Sequence, residues 1–173
     1  MPCYEFRGKA PRISEKAFVH PDSVIIGDVS IGRDCFIAPG AVIRADFAPV
    51  TIGHSTSVQD NSVLHVSPGL GTTIGDNVII GHSAVLHDSD IGRQCVIGMG
   101  AILLNEVICE EGVVVAAGSV VPQRMQIPAG KLAAGNPARI IKDVPPELRS
   151  YIIDGIEEYR RLARNYLSGM KKI

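Results

Sequence analysis

An all-β solenoid of triangular coils, with one α-helix laid along it near the C-terminus, is the fold class this sequence predicts. Three observations carry that expectation. Aliphatic residues recur at every sixth position, glycine, aspartate or asparagine follows them closely, and aromatic residues make up only 5% of the 173 residues, with no Trp. A period of six is neither the 3.6 of a helix nor the alternation of a sandwich strand, so it marks an array of repeated units. One short strand and one corner per unit fit it, and three units close a triangle whose narrow interior admits aliphatic side chains only. Stacked triangles bury a ladder of Ile, Val and Leu that no unit can bury alone.

The elements follow in order. Ile25, Ile31, Ile37 and Ile43 keep the spacing unbroken, as do Ile52, Val58 and Leu64. The series resumes at Ile74, Ile80 and Leu86, then Ile91, Ile97 and Leu103, then Ile108, Val114 and Val120, with single-residue contractions at two junctions. Longer interruptions around FAPV (47–50) and SPGLG (67–71) read as loops. IGRD at 31–34 and IGDN at 74–77 supply tight corners, Asp22, Asp28, Asp34, Asp76 and Asp90 read as corner residues, and Glu110 with Glu111 as a solvated turn. Residues 1–142 are thus expected to form the β-helix, and 143–173 a helical segment of the same domain. In that segment Leu148, Ile152, Ile156, Tyr159, Ala163, Tyr166 and Met170 fall at three- and four-residue steps, an amphipathic pattern with Pro145 and Pro146 suited to its first turn and Gly155 placed to divide it.

Charge narrows the partners. With 17 basic against 18 acidic residues, and no basic cluster beyond Lys171 and Lys172, the chain points away from nucleic acid and membranes and toward a small-molecule substrate. The N-terminus lacks a signal-type apolar core and no apolar run approaches a membrane span, so a cytoplasmic location is expected. Cys3, Cys35, Cys95 and Cys109 form no C-x-x-C pair and read as reduced, mostly buried thiols.

Three of the five histidines lie between residues 65 and 87. In the triplet register Ile43, Leu64, Leu86, Leu103 and Val120 occupy one place in successive coils, so Arg44, His65, His87, Leu104 and Val121 point outward on a common face. His65 and His87 are then stacked neighbours, about 4.8 Å apart at the backbone. His82 follows Ile80 by two positions and sits on the adjacent side, one coil from Asp60. It does not reach the His65–His87 pair within one chain, but a three-fold trimer presses different prism faces together, and His82 of a neighbouring copy would complete a three-histidine zinc site with an open fourth position. The plain alternative is that these are surface or interface histidines. His54 and His20 are read as surface residues.

IRAD at 43–46, VQDNSVLH at 58–65, GHSAVLH at 81–87 and EYRRLA at 158–163 together resemble the gamma-class carbonic anhydrase family, in its compact bacterial and archaeal branch. The resemblance implies a left-handed parallel β-helix, although the general rule for parallel crossovers favours the right hand. It also implies a homotrimer, with zinc (iron or cobalt as alternatives) between subunits, and lyase activity, the reversible hydration of CO2. By position, His65 and His87 match the metal ligands from one subunit and His82 the ligand from the next. Arg44 and Asp60 resemble the ion pair across the subunit interface. Gln59 resembles the residue that hydrogen-bonds the hydroxide, Asp46 an acidic position near the site, and Tyr159 a tyrosine of the C-terminal helix that approaches the metal.

This sequence also departs from the family's developed catalysts. Phe47 stands where they carry glutamate, Ser57 where they carry asparagine, and a long acidic loop is cut to SPGLG. These departures put the proton shuttle in doubt; His54 is the conceivable substitute, but it lies two residues after Ile52 on the third side, where a surface role is expected. Rival readings are a metal-dependent thioesterase, a hexapeptide acyltransferase and a non-catalytic metal-binding trimer; GNPARII at 135–141 resembles a segment of such transferases but discriminates weakly, being shared across β-helix proteins as an exit from the last coil. An acyltransferase needs a histidine base beside its acceptor rather than two stacked histidines.

Overall fold

The computed structural model describes residues 3–173. The chain winds as a left-handed parallel β-helix. Short strands stack into two sheets: one wraps two faces of the prism because the long strands Val24–Ile31 and Val42–Ile52 bend round a corner, and the other forms the third face. The interior ladder holds Ile25, Ile37, Ile43, Ile52, Leu64, Ile74, Ile80, Leu86, Ile91, Ile97 and Leu103, each essentially inaccessible to solvent. Glycine follows many of these residues because the next coil passes too close for a side chain: a Cβ on Gly75 would lie 2.8 Å from the backbone nitrogen of Arg93. The next turn carries a stack of residues at positive φ, Asp34, Ser55, Asn77 and Gln94, which lets each coil bend tightly.

In the last coils the interior positions shift by one residue from the expected phase. Cys109, Val115 and Val121 point inward, pairing in register with Ile91, Ile97 and Leu103, whereas Ile108 and Val120 do not. Val114 is buried from outside, under the helix. The six-residue period therefore runs unbroken from Ile91 to Ile127, and of the two contractions expected only the step from Leu86 to Ile91 exists. The cause is a run of adjacent apolar residues (Ile108–Cys109, Val114–Val115, Val120–Val121), which satisfies either phase. The corners at Glu106, Gly112 and Gly118, all with positive φ, select the observed one. The outward column through Arg44, His65, His87 and Leu104 consequently ends at Pro122, not Val121.

The helix Pro146–Gly169 is continuous. Gly155 does not divide it but lies against the third face, where an added Cβ would sit 3.5 Å from the Ile79 side chain. The helix covers that face at two places: Ile152 and Ile156 pack on Val114 and Val144, and Ala163, Tyr159 and Tyr166 pack on Phe18 and Phe36. Phe18 and Phe36 stack at 5.4 Å with Tyr166 edge-on at 4.9 Å from Phe18, so these aromatics sit outside the prism, between sheet and helix. GNPARII lies in the closing antiparallel hairpin of Lys131–Gly135 and Ala138–Asp143, which caps the last coil. No helix among the described residues is long and apolar enough to cross a membrane.

Two outcomes follow. Ile97→Ala, which empties a ladder position, lowers the unfolding free energy by about 2–5 kcal/mol, while Ile108→Ala, facing outward, changes it by about 0.5 kcal/mol or less, as read by denaturant unfolding. Burial pushes the Cys35 thiol up to about 11 and the Cys95 thiol up to about 12, and raises Cys109 as well. Native protein treated with a thiol-exchange reagent therefore reacts rapidly only at Cys3, and all four cysteines react after denaturation.

Candidate metal centre

The strands Val63–His65 and Val85–His87 pair in parallel with His65 directly opposite His87, because Leu64 and Leu86 are neighbouring rungs of the interior ladder. Their rings meet edge to face at 4.9 Å between centroids, and His65 Nδ1 lies 3.0 Å from His87 Nε2. Behind each ring stands a carboxylate. Asp46 Oδ1 is 3.1 Å from His65 Nε2, and Asp88 Oδ2 is 2.9 Å from His87 Nδ1. Arg44, one coil below His65, donates to the other oxygen of Asp46.

A count of protons gives this row its chemistry. Asp46, His65, His87 and Asp88 make three contacts in line, and two neutral imidazoles supply two protons. If both carboxylates receive one, the two facing nitrogens present lone pairs to each other at 3.0 Å. A proton or a metal cation between them completes the row. The spacing suits a metal: two Zn–N bonds at a tetrahedral angle hold their nitrogens about 3.3 Å apart. The backing carboxylates are the usual partners of metal-binding imidazoles.

The local electrostatics favour a neutral His65 and charged Asp46 and Asp88. Burial holds His65 below the ordinary imidazole value, Asp46 acts against this, and the Arg44 charge adds to it. For Asp46, burial acts upward, but the hydrogen bonds from Arg44 and His65 prevail and hold the carboxyl below its usual range. Asp88 is likewise lowered: its burial is outweighed by the backbone N–H and hydroxyl of Ser67, by His87 and by Asn105.

His82 stands elsewhere, beyond the end of Ile79–Ile80 on the third face. Asp60 lies one coil below, its Oδ2 2.8 Å from His82 Nδ1, which leaves Nε2 of this half-exposed ring facing away from its backing carboxylate. Gln59 is buried, and its amide oxygen accepts the backbone N–H of His82 at 3.2 Å. Tyr159 reaches the same neighbourhood from the helix. It shares with Gln59 and His82 the lining of an apolar cleft of about 340 Å³, floored by Ile79, Val96 and Val114. Burial, then the nearby Asp60 charge, raises the Tyr159 hydroxyl above its ordinary value.

Two groups of candidate residues thus emerge within one chain: Asp46, His65 and His87 on one face, and Gln59, Asp60, His82 and Tyr159 on another. Among the described residues no set of three or more His, Cys, Asp or Glu is placed to enclose a metal. Arg44 and Asp60 are not paired within the chain, since Arg44 engages Asp46 and Asp60 engages His82. Phe47 lies half-exposed against the His65 ring, 6.0 Å between centroids. His54 is exposed, its Nδ1 accepting the backbone N–H of Arg33, and His20 Nδ1 accepts that of Asp22. Sequence reasoning missed Asp88, Ser67 and Asn105, which surround the back of His87. The available signal was positional: Asp88 directly follows a candidate ligand at a corner.

Comparison with known proteins gives the geometry its context. The model of the bacterial transferase hexapeptide family (six repeats) matches residues 10–45 and 71–105. The chain is 43% identical over 162 residues to gamma carbonic anhydrase 1, mitochondrial, of Arabidopsis thaliana; the match takes in 90% of this chain and spans only 59% of the plant protein's length. To a carbonic anhydrase of Geobacillus kaustophilus it is 38% identical over 164 residues, covering 95% of this chain and 86% of that protein. The crystal structure of a hexapeptide transferase family protein from Anaplasma phagocytophilum superposes with a TM-score of 0.91 at 35% identity, over 95% of this chain and 97% of that one. Identity at this level over nearly the whole chain, on the same β-helix, establishes that the protein belongs to the gamma-class carbonic anhydrase-like family of hexapeptide-repeat proteins.

Proposed function

We propose that this protein is a metal-dependent carbonic anhydrase-like lyase that hydrates CO2 reversibly, working as a homotrimer with one metal between each pair of subunits. The observation that carries this reading is the facing pair His65 Nδ1 and His87 Nε2, 3.0 Å apart with a carboxylate behind each ring. His65 and His87 of one copy and His82 of the next would hold the metal, zinc by preference and iron or cobalt as alternatives. All three imidazoles have a carboxylate partner, the third being Asp60 behind His82.

A cation held by three neutral imidazoles supplies a nucleophilic hydroxide near neutral pH by making water more acidic. The chain's own groups do the rest. The Gln59 amide oxygen accepts the His82 backbone N–H, which fixes the side chain and leaves its amide nitrogen to orient the nucleophile. Tyr159 closes the same cleft from the helix side, its raised hydroxyl remaining a proton donor. Phe47 and the aliphatic cleft residues offer apolar contact to CO2. Asp46 fixes the His65 ring and is itself held by Arg44, and across the interface Arg44 and Asp60 bring opposite charges to the two faces. Phe47 cannot carry a proton, so turnover is limited by proton escape and rises with small imidazole-type buffers.

The reading is tested by metal content and complementation. Purified protein binds close to one metal per subunit and hydrates CO2. His65→Ala and His82→Ala each abolish both properties. Refolding these two variants together in equal amounts restores about one-quarter of the wild-type sites, because any mixed cyclic trimer contains one interface with all three histidines and three-quarters of random trimers are mixed. No recovery would show that the ligands do not come from different subunits. Metal occupancy falls as the pH drops through the imidazole range, where ligand protonation competes, and this is read by metal analysis after dialysis. Bound metal without hydration activity would shift the reading to thioester hydrolysis or metal binding alone.

A further inference from the structure

Asp88 sits at a coil corner with φ 50°, a left-handed conformation favoured by glycine and tolerated by aspartate. Its side chain is 1% exposed, yet its carboxylate is fully engaged. Oδ1 accepts the backbone N–H of Ser67 at 2.6 Å; Oδ2 accepts the Ser67 hydroxyl at 2.7 Å, Asn105 Nδ2 at 2.7 Å and His87 Nδ1 at 2.9 Å. The donors come from the coil below, the coil of Asp88 itself and the coil above.

The corner alone does not demand this. Glu106 and Arg124 occupy the same corner in the next two coils, also at positive φ, and their side chains run outward and pair with each other at 3.1 Å. Only Asp88 turns inward, onto the imidazole. Asn105 Nδ2 also approaches His87 Nδ1, at 3.1 Å, and could donate to it if that nitrogen were bare. Asp88 Oδ2 would then face a lone pair at 2.9 Å. With Nδ1 protonated, the ring and the amide both donate to the one carboxylate oxygen.

We propose that Asp88 is a positioning residue that fixes the proton of His87 on Nδ1 and so aims the lone pair of Nε2 at His65, with Ser67 and Asn105 locking the carboxylate. The inference deepens the proposed metal site and rests on that reading for its consequence in metal affinity. Its consequence in the metal-free protein stands alone.

The test uses ¹⁵N-histidine-labelled full-length protein, first without metal at about pH 9, well above the imidazole range. His87 is expected to show a protonated Nδ1 and a bare Nε2. Asp88→Gly suits the corner's φ but leaves the Ser67 N–H and the Asn105 amide without their buried acceptor, so it is expected to fold with a lowered thermal midpoint, release His87 toward the Nε2–H form, and weaken zinc binding ~10- to 100-fold in chelator competition. Asp88→Asn, which keeps an acceptor oxygen and tolerates the corner, is expected to restore the tautomer and part of the affinity. A wild-type His87 protonated on Nε2 overturns the proposal, whether or not the variants fold. So does an Asp88→Gly protein with unchanged tautomer and unchanged zinc affinity. If wild type binds no zinc, the metal reading fails, while the tautomer still decides what Asp88 does to His87.

Discussion

The ladder of aliphatic side chains inside the prism is the constraint on which everything else hangs. Each rung fixes which residues of successive coils face one another, and a slip by one residue would turn every outward side chain inward. His65 and His87 are 22 residues apart in sequence and meet at 3.0 Å because Leu64 and Leu86 are neighbouring rungs. The loop SPGLG between them lengthens the coil without disturbing the match, since Ile74 returns to the ladder fully buried. A core built for burial thereby sets a polar geometry finer than any loop could hold, in keeping with the greater precision of sites on regular elements.

The electrostatics build on that scaffold. A facing pair of imidazoles, each backed by a carboxylate, is one positive charge short of satisfaction, and the arrangement is costly unless a cation completes it. Arg44 does not fill this place; it sits outside the row, on the far oxygen of Asp46. Its charge helps to keep His65 neutral and Asp46 ionised. The face bearing His82 has the complementary deficiency: a half-exposed imidazole, fixed on one nitrogen by Asp60, with the other open. One cation shared between the two faces would satisfy the facing lone pairs of the first and the open nitrogen of the second, which is the physical case for the proposed assembly.

Much of the fold was legible because a six-residue period with corner glycines admits few architectures. The pairing of His65 with His87 and the placement of His82 over Asp60 followed from counting alone. The phase of the last coils did not, because Ile108–Cys109, Val114–Val115 and Val120–Val121 satisfy two registers and the choice rests on corner conformations. Gly155 misled for another reason: helix propensity treats glycine as a break, whereas here the helix runs through it unbroken and packs on the third face, where even a Cβ would make ordinary contact with Ile79. The network behind His87 was illegible at the level of residue types. Ser67, Asp88 and Asn105 are ordinary turn residues in sequence, and nothing local distinguishes the inward-turning Asp88 from Glu106, which occupies the same corner and points away.

The same prism serves transferases, so backbone similarity cannot choose the chemistry, and the choice has to rest on individual nitrogen atoms. A transferase histidine acts as a general base and needs a free lone pair beside the acceptor hydroxyl or amine. His65 has both nitrogens engaged, by Asp46 and by His87, and His87 has both engaged, by Asp88 and by His65. Their remaining lone pairs face each other at 3.0 Å, so a proton taken up there would lodge between the two rings and not beside an acceptor. His82 retains an open nitrogen, but it stands among Gln59, Tyr159 and aliphatic residues, a cleft whose apolar lining suits a small uncharged gas better than a hydroxyl-rich acceptor. Two nitrogens turned toward each other and a third open on the face proposed to meet them make a poor base and a good ligand set, and this favours hydration over transfer.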